Sequence, residues 1–224
     1  MLPAEDPTPL SIAMREGSRA DHERAEAAGF VADLMAGRMD PERYAAYLRR
    51  LQVVYTALER AVGAHRAHPA VSAVHDASLC RSDALERDLA HWSAACPGPA
   101  SPRTTSPAAA AYRVRIELAG ERPHLLVAHH YTRYLGDLSG GRMLAQALRR
   151  SHPGLADGGL AFYDFADIAK PVAYKRAYRA QLDALPVDPA ERVEVVEEVR
   201  HAFDLNRRLL DELSAADQAP ALCP

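Results

Sequence analysis

The stretch Tyr131-Thr132-Arg133-Tyr134-Leu135-Gly136-Asp137-Leu138-Ser139-Gly140-Gly141 decides how this chain is read. Its flanks are rich in helix formers with apolar residues at three- and four-residue steps, so it falls in the middle of a helix predicted over about 123–151. Yet three glycines lie inside it. An interior glycine costs about 1 kcal/mol relative to alanine, so such a cluster needs a compensating contact. Gly136 and Gly140 are four apart and share a face, which lets something large and flat approach the backbone. A close helix crossing or a kink is the plainer explanation. Against it, Arg133 and Asp137 share a face with Gly140 and Gly141, and a charged pair beside bare backbone suits a ligand better than an apolar crossing.

Working outward, the pattern stays helical. Residues 10–28 read as one helix ended by Gly29. Asp40-Pro41 supplies an N-cap and a first-turn proline, and opens a helix with the stripe Tyr44, Leu48, Leu51, Tyr55, Leu58, Val62. Further helices are expected at about 70–79, 82–95 and 108–120, with a proline-rich loop over 96–107. Beyond the glycine helix, a loop at 152–164 leads to helices at about 171–185 and 189–213, the last capped by Asp188-Pro189. No segment alternates as a strand does. The expected fold is an all-α, single-domain, multi-helix bundle over 10–213, with a loose arm at 1–9 and a tail at 214–224.

Composition narrows the class. A chain of 224 residues, 48% hydrophobic and 25% charged, has enough apolar material for one core. A net charge of −3 gives no reason to expect nucleic acid. No apolar run reaches the roughly 18 residues of a membrane span, and the first ten residues are not a signal peptide. Cys80, Cys96 and Cys223 follow no CxxC spacing, which argues against a zinc site or disulfide framework. A soluble, cytoplasmic protein is expected.

Leu125-Leu-Val-Ala-His-His130 followed by YTRYLGDLSGG closely resembles the heme oxygenase signature, and the similarity extends from about residue 11 to 213. The resemblance implies a heme-binding oxidoreductase that opens the porphyrin at its α-meso carbon to give biliverdin, carbon monoxide and ferrous iron. It makes His22, in Arg15-Glu-Gly-Ser-Arg-Ala-Asp-His22-Glu-Arg-Ala-Glu26, the iron ligand. A carboxylate one turn on, Glu26, can accept the other ring N–H. Arg15, Arg19, Lys175 and Arg179 are implied to face the heme propionates. Tyr131, Gly136, Gly140, Gly141 and Phe203 complete the implied heme-contacting set. Tyr55, Arg133, Asp137 and Asn206 match residues of a distal water network, in which Asp137 positions the proton donor. One departure is arginine at 15 and 19, where many members carry lysine; charge is kept but reach changes. No nucleotide motif such as GxGxxG occurs, so electrons are implied to come from a ferredoxin or an NADPH-dependent reductase.

Two other classes bear on the same residues. A non-heme di-iron oxygenase needs Glu-x-x-His pairs, and Glu121-Arg-Pro-His124 and Glu198-Val-Arg-His201 have that form. A heme carrier or sensor without turnover would share the His22 ligation.

Overall fold

A computed structural model describes residues 8–96, 105–154 and 158–215. Every regular element among them is helical, as expected. Helix starts are written in local chemistry. The Asp40 carboxylate accepts the Arg43 backbone N–H at 2.7 Å and Pro41 occupies the first turn of α4 (Pro41–Ala64). Ser106 caps α7 (Pro107–Ala119) through the Ala109 N–H at 3.0 Å. Asp188 and Glu191 satisfy each other's backbone N–H at 2.8 and 3.0 Å where α11 (Pro189–Ala215) begins. Each cap contributes about 1 kcal/mol.

The expected helix over 10–28 is broken into α1 (Leu10–Gly17) and α2 (Arg19–Glu26). The cause is tertiary. A Cβ on Gly17 would stand 2.5 Å from Val196 Cγ1, so the chain presses its backbone onto α11 there. Ser18 bends away and bonds back to the Met14 carbonyl at 2.7 Å. Gly29 opens a further helix, α3 (Gly29–Met35), instead of ending one. The segment expected at 70–79 is α5 (Pro69–Val74) followed by a 3₁₀ turn at Ala77–Leu79, where Asp76 accepts the Ser78 N–H at 2.9 Å. α6 (Ser82–Ala94) follows as expected. Within the loop at 152–164, Ala161–Tyr163 forms a 3₁₀ turn, and α10 (Pro171–Asp183) comes next. Most of the arm, of the tail and of the proline-rich loop lies outside the described residues.

The glycine helix shows the largest departure. In place of one helix over 123–151, the chain runs through a 3₁₀ turn (Pro123–Leu125), α8 (Leu126–His130), a π-helical turn (Tyr131–Leu135) and α9 (Gly136–Ser151). A π turn shifts side-chain register, and such turns concentrate at functional sites.

Packing explains how these pieces are held. α4 lies against α6 and α7, while α11 touches α1, α2, α3, α4, α7, α8 and the π turn. The expected α4 stripe from Tyr44 to Val62 is buried throughout. The turn at 159–163 is fastened to α6. Asp88, fully buried, accepts the Ala161 and Phe162 N–H groups at 2.9 and 2.8 Å, and Trp92 Nε1 donates to the Gly159 carbonyl at 2.7 Å. No helix among the described residues is long and apolar enough to cross a membrane.

Candidate functional site

The π turn carries Arg133 into the interior, where its side chain is 6% exposed. A buried guanidinium is costly unless its donors are used. Its Nε donates to the Tyr55 hydroxyl at 3.2 Å, and one terminal nitrogen donates to Asn206 Oδ1 at 2.5 Å. The other terminal nitrogen stands 3.5 Å from Asp137 Oδ1. The Tyr55 hydroxyl in turn donates to the second carboxylate oxygen of Asp137. Four residues from α4, the π turn, α9 and α11 thus form one closed polar network. The Asn206 amide on α11 is thus partnered by Arg133.

Asp137 sits at the network's edge, with its side chain 12% exposed. Burial pushes its carboxyl upward, while the Arg133 charge and the Tyr55 hydrogen bond pull the other way; the net result is a raised value. Such a carboxyl holds a proton more readily than an exposed aspartate.

The glycines divide between two faces. Ideal Cβ positions on Gly136 and Gly140 meet nothing within 4 Å, so the backbone there faces open space. Gly141 does not join them. A Cβ there would stand 2.9 Å from Tyr163 Cδ1, because Gly141 is buried against the fastened turn. Gly141 therefore packs its backbone against Tyr163, whereas Gly136 and Gly140 face open space.

His22 is half exposed on α2, with its Nδ1 3.5 Å from Glu26 Oε2, as the four-residue spacing suggested. That contact makes Nε2 the nitrogen available to a metal. The imidazole edge meets the Phe203 ring with centroids 5.4 Å apart. Phe203 and Asn206 are one turn apart on α11, so a single helix carries the contact to His22 and the contact to Arg133. α11 is the floor joining the two walls.

The cationic residues sit nearby but unequally. Arg15, on α1, pairs with Glu16 at 2.9 Å, and Arg19, on α2, also pairs with Glu16. The helix break therefore puts Arg15 on a different helix from Arg19 and His22. Lys175 Nζ donates to Ser139 Oγ at 2.8 Å, which sets it beside α9 between Gly136 and Gly140 in sequence. Burial and the Arg179 charge lower the Lys175 ammonium. Burial raises the Tyr131 phenol against the charges of Arg179 and Arg15, which places all three in one electrostatic neighbourhood.

Sequence reading missed several groups. The Tyr112 hydroxyl and Thr132 Oγ1 are buried without a protein partner. Burial raises Tyr112, with the Arg133 charge acting in the opposite sense, so it faces the network. The available signal was a phenol on the buried stripe Tyr112, Ile116, Ala119, of the same kind that singled out Tyr55. The open glycine backbone, the buried carboxyl of Asp137 beside it and the cationic edge fit a flat, anionic ring, with the His22 imidazole a suitable iron ligand.

Each Glu-x-x-His pair has a member already engaged by another residue. Glu198, 1% exposed, accepts from His129 Nε2 at 2.7 Å and from Arg115 Nε at 2.8 Å. Burial alone would raise its carboxyl, but those bonds hold it down at about 2. His124 is spent on Glu194, 3.1 Å away. Among the described residues no group of three or more His, Cys, Asp or Glu is arranged to hold a metal ion.

Comparison with known proteins agrees with this geometry. The profile of the heme oxygenase family matches residues 8–212. Heme oxygenase 1 of the cyanobacterium Synechocystis sp. is 37% identical over 210 residues, covering 91% of this chain and 84% of the relative. Heme oxygenase 1 of Rattus norvegicus is 37% identical over 221 residues, covering 95% and 76%. The crystal structure of the Synechocystis heme oxygenase-1 in complex with heme superimposes with a TM-score of 0.84 at 35% identity, covering 94% of this chain and 95% of that one. A heme oxygenase structure from Leptospira interrogans gives 0.82 at 32% identity, covering 92% and 100%. With its family profile spanning nearly the whole helical region, the chain belongs to the heme oxygenase family.

Proposed function

We propose that this protein binds heme between His22 and the Gly136–Gly140 backbone and cleaves it at the α-meso carbon to biliverdin, carbon monoxide and ferrous iron. The observation that carries this reading is the pairing of open backbone at Gly136 and Gly140 with a hydrogen-bonded carboxyl, Asp137, between them. The heme iron supplies the oxygen-activating chemistry. The protein's own residues supply ligation, orientation and proton placement.

His22 Nε2 would hold the heme iron, and Glu26 would accept the Nδ1 hydrogen bond, fixing the tautomer and raising ligand basicity. Gly136 and Gly140 let the α9 backbone lie over the ring and crowd one meso edge. Asp137 holds a proton, through water, on the distal side, and Tyr55, Arg133 and Asn206 keep its carboxyl in place. Arg15, Lys175 and Arg179 engage the propionates and set which meso carbon faces Asp137. Arg19 extends the same basic rim, where an acidic ferredoxin or an NADPH-dependent reductase docks to supply electrons. The work belongs to the cytoplasm.

The test is to add hemin, record the Soret band, then supply ascorbate or a reductase in air and identify the bilin isomer. Biliverdin of the α type supports the reading. A stable heme complex that yields no bilin points to a carrier or sensor.

A further inference from the structure

From the polar network runs a column of aromatic rings of which heme cleavage as proposed uses only Tyr55. Tyr55 meets Tyr134 with ring centroids 5.6 Å apart, Tyr134 meets His130 at 4.5 Å, and His130 stacks on Tyr178 at 5.7 Å with planes only 6° apart. The column starts at the phenol bound to Asp137 and ends on α10. At its far end the Tyr178 hydroxyl lies 2.7 Å from His130 Nδ1, and both residues are 2% exposed. Burial pushes the His130 imidazole down to about 3, so at neutral pH it is the acceptor and the phenol the donor.

A hydrogen bond is enough to satisfy two buried polar groups. What it does not explain is the continuity of oxidisable rings from the pocket to this pair. A phenol that loses an electron becomes a strong acid, and a hydrogen-bonded neutral imidazole takes its proton at once. That coupling gives Tyr178 a proton acceptor at hand and makes it readily oxidised. At the opposite end Tyr55 also has an acceptor in Asp137, but that carboxylate is shared with Arg133, whose guanidinium lies 5.2 Å from the Tyr55 ring centroid and opposes a positive charge there. A hole entering at Tyr55 therefore runs toward Tyr178.

We propose that the Tyr55–Tyr134–His130–Tyr178 column is a discharge path, by which an oxidising equivalent not consumed on the porphyrin leaves the pocket as a tyrosyl radical at Tyr178. The proposal rests on the heme-binding reading above. With an organic hydroperoxide as oxidant, the O–O bond breaks, one oxygen leaves as the alcohol and the other stays on the iron. Of the two electrons required, one comes from the heme iron and one from Tyr178 through the column. The Tyr178 proton moves to His130 Nδ1, which leaves a neutral phenoxyl radical beside an imidazolium.

The experiment loads the protein with hemin, confirms the Soret band, adds cumene hydroperoxide, freeze-quenches the mixture and records the electron paramagnetic resonance spectrum. The wild type should give a tyrosyl signal that changes its hyperfine pattern when the protein carries ring-deuterated tyrosine. Tyr178→Phe should lower that signal several-fold while the Soret band is unchanged. Tyr134→Phe keeps the ring and its packing but removes the oxidisable phenol. It should cut the yield at Tyr178, and it decides the matter if Tyr178→Phe does not fold. An undiminished, unaltered tyrosyl signal in these variants, or no tyrosyl signal in the wild type, overturns the path. Failure of hemin to bind appears before hydroperoxide is added, and overturns the heme reading instead.

Discussion

The two walls of the site are built on opposite terms. His22 and its neighbours Arg15, Arg19 and Glu26 are on short helices, with side chains between 50% and 70% exposed. Their ion pairs are with each other or with Glu16, in water, where such contacts contribute little. Across from them, Tyr55, Arg133, Asp137 and Asn206 are tied into one network from four elements, largely out of solvent. The near wall thus has only solvent-exposed ion pairs to hold it, while the far wall is organised by its own hydrogen bonds. Preorganisation belongs where charge and protons are handled, because reorganising polar groups during reaction is what a site must avoid.

That contrast can be broken experimentally. The largest effect is expected at Asp137. Asp137→Ala should still bind hemin through His22 but make biliverdin about 10²–10⁴-fold more slowly, as for loss of a positioned proton donor. Single-turnover absorbance would show it, and normal turnover would remove Asp137 from the mechanism.

The next effect concerns the charge buried behind the far wall. Glu198 is held at about 2 in the folded protein, against 4.5 for the free side chain. Because the folded value is the lower, this contribution is complete above pH about 4.5 and is lost as pH falls toward 2. It amounts to about 3 kcal/mol. Glu198→Gln should be less stable at neutral pH and should lack this part of the acid slope; an unchanged slope in urea unfolding across that window would contradict the assignment.

Glycine substitutions sharpen the comparison further. Gly141→Ala pushes a methyl into the Tyr163 ring and should cost about 1–3 kcal/mol in the heme-free protein. Gly136→Ala enters open space and should stabilise the heme-free helix by about 1 kcal/mol, yet weaken hemin binding. Thermal melts with and without hemin separate the two, and equal behaviour would refute the division of faces. The smallest effect on folding is expected at His22. His22→Ala should leave heme-free stability within about 0.5 kcal/mol, as at an ordinary surface position, while the heme spectrum loses its strong axial ligand and added imidazole restores part of it.

How much of this was legible follows from the range of each interaction. Caps at Asp40 and Asp188 act within three residues, so sequence spacing was enough to place α4 and α11. The Arg133–Asp137 spacing and the polar positions of Tyr55 and Asn206 on apolar stripes were visible for the same reason. The break at Ser18 was not, because it depends on Val196, far along the chain, meeting the Gly17 backbone. The π turn is likewise a tertiary outcome: it carries a buried arginine to partners on α4 and α11 that local propensity does not see. The packing of Gly141 was not legible either, since its neighbour is Tyr163 on a turn held by Asp88. Glu198 looked like a metal ligand only while Arg115 and His129 were unknown as its partners.

The most direct test of the account is to mix purified protein with one equivalent of hemin and follow the absorption spectrum, then repeat with His22→Ala. The account predicts a sharp, shifted Soret band in the wild type, followed on reduction in air by its replacement with the spectrum of α-biliverdin, and neither change in His22→Ala. A wild-type spectrum indistinguishable from that of free hemin would contradict it.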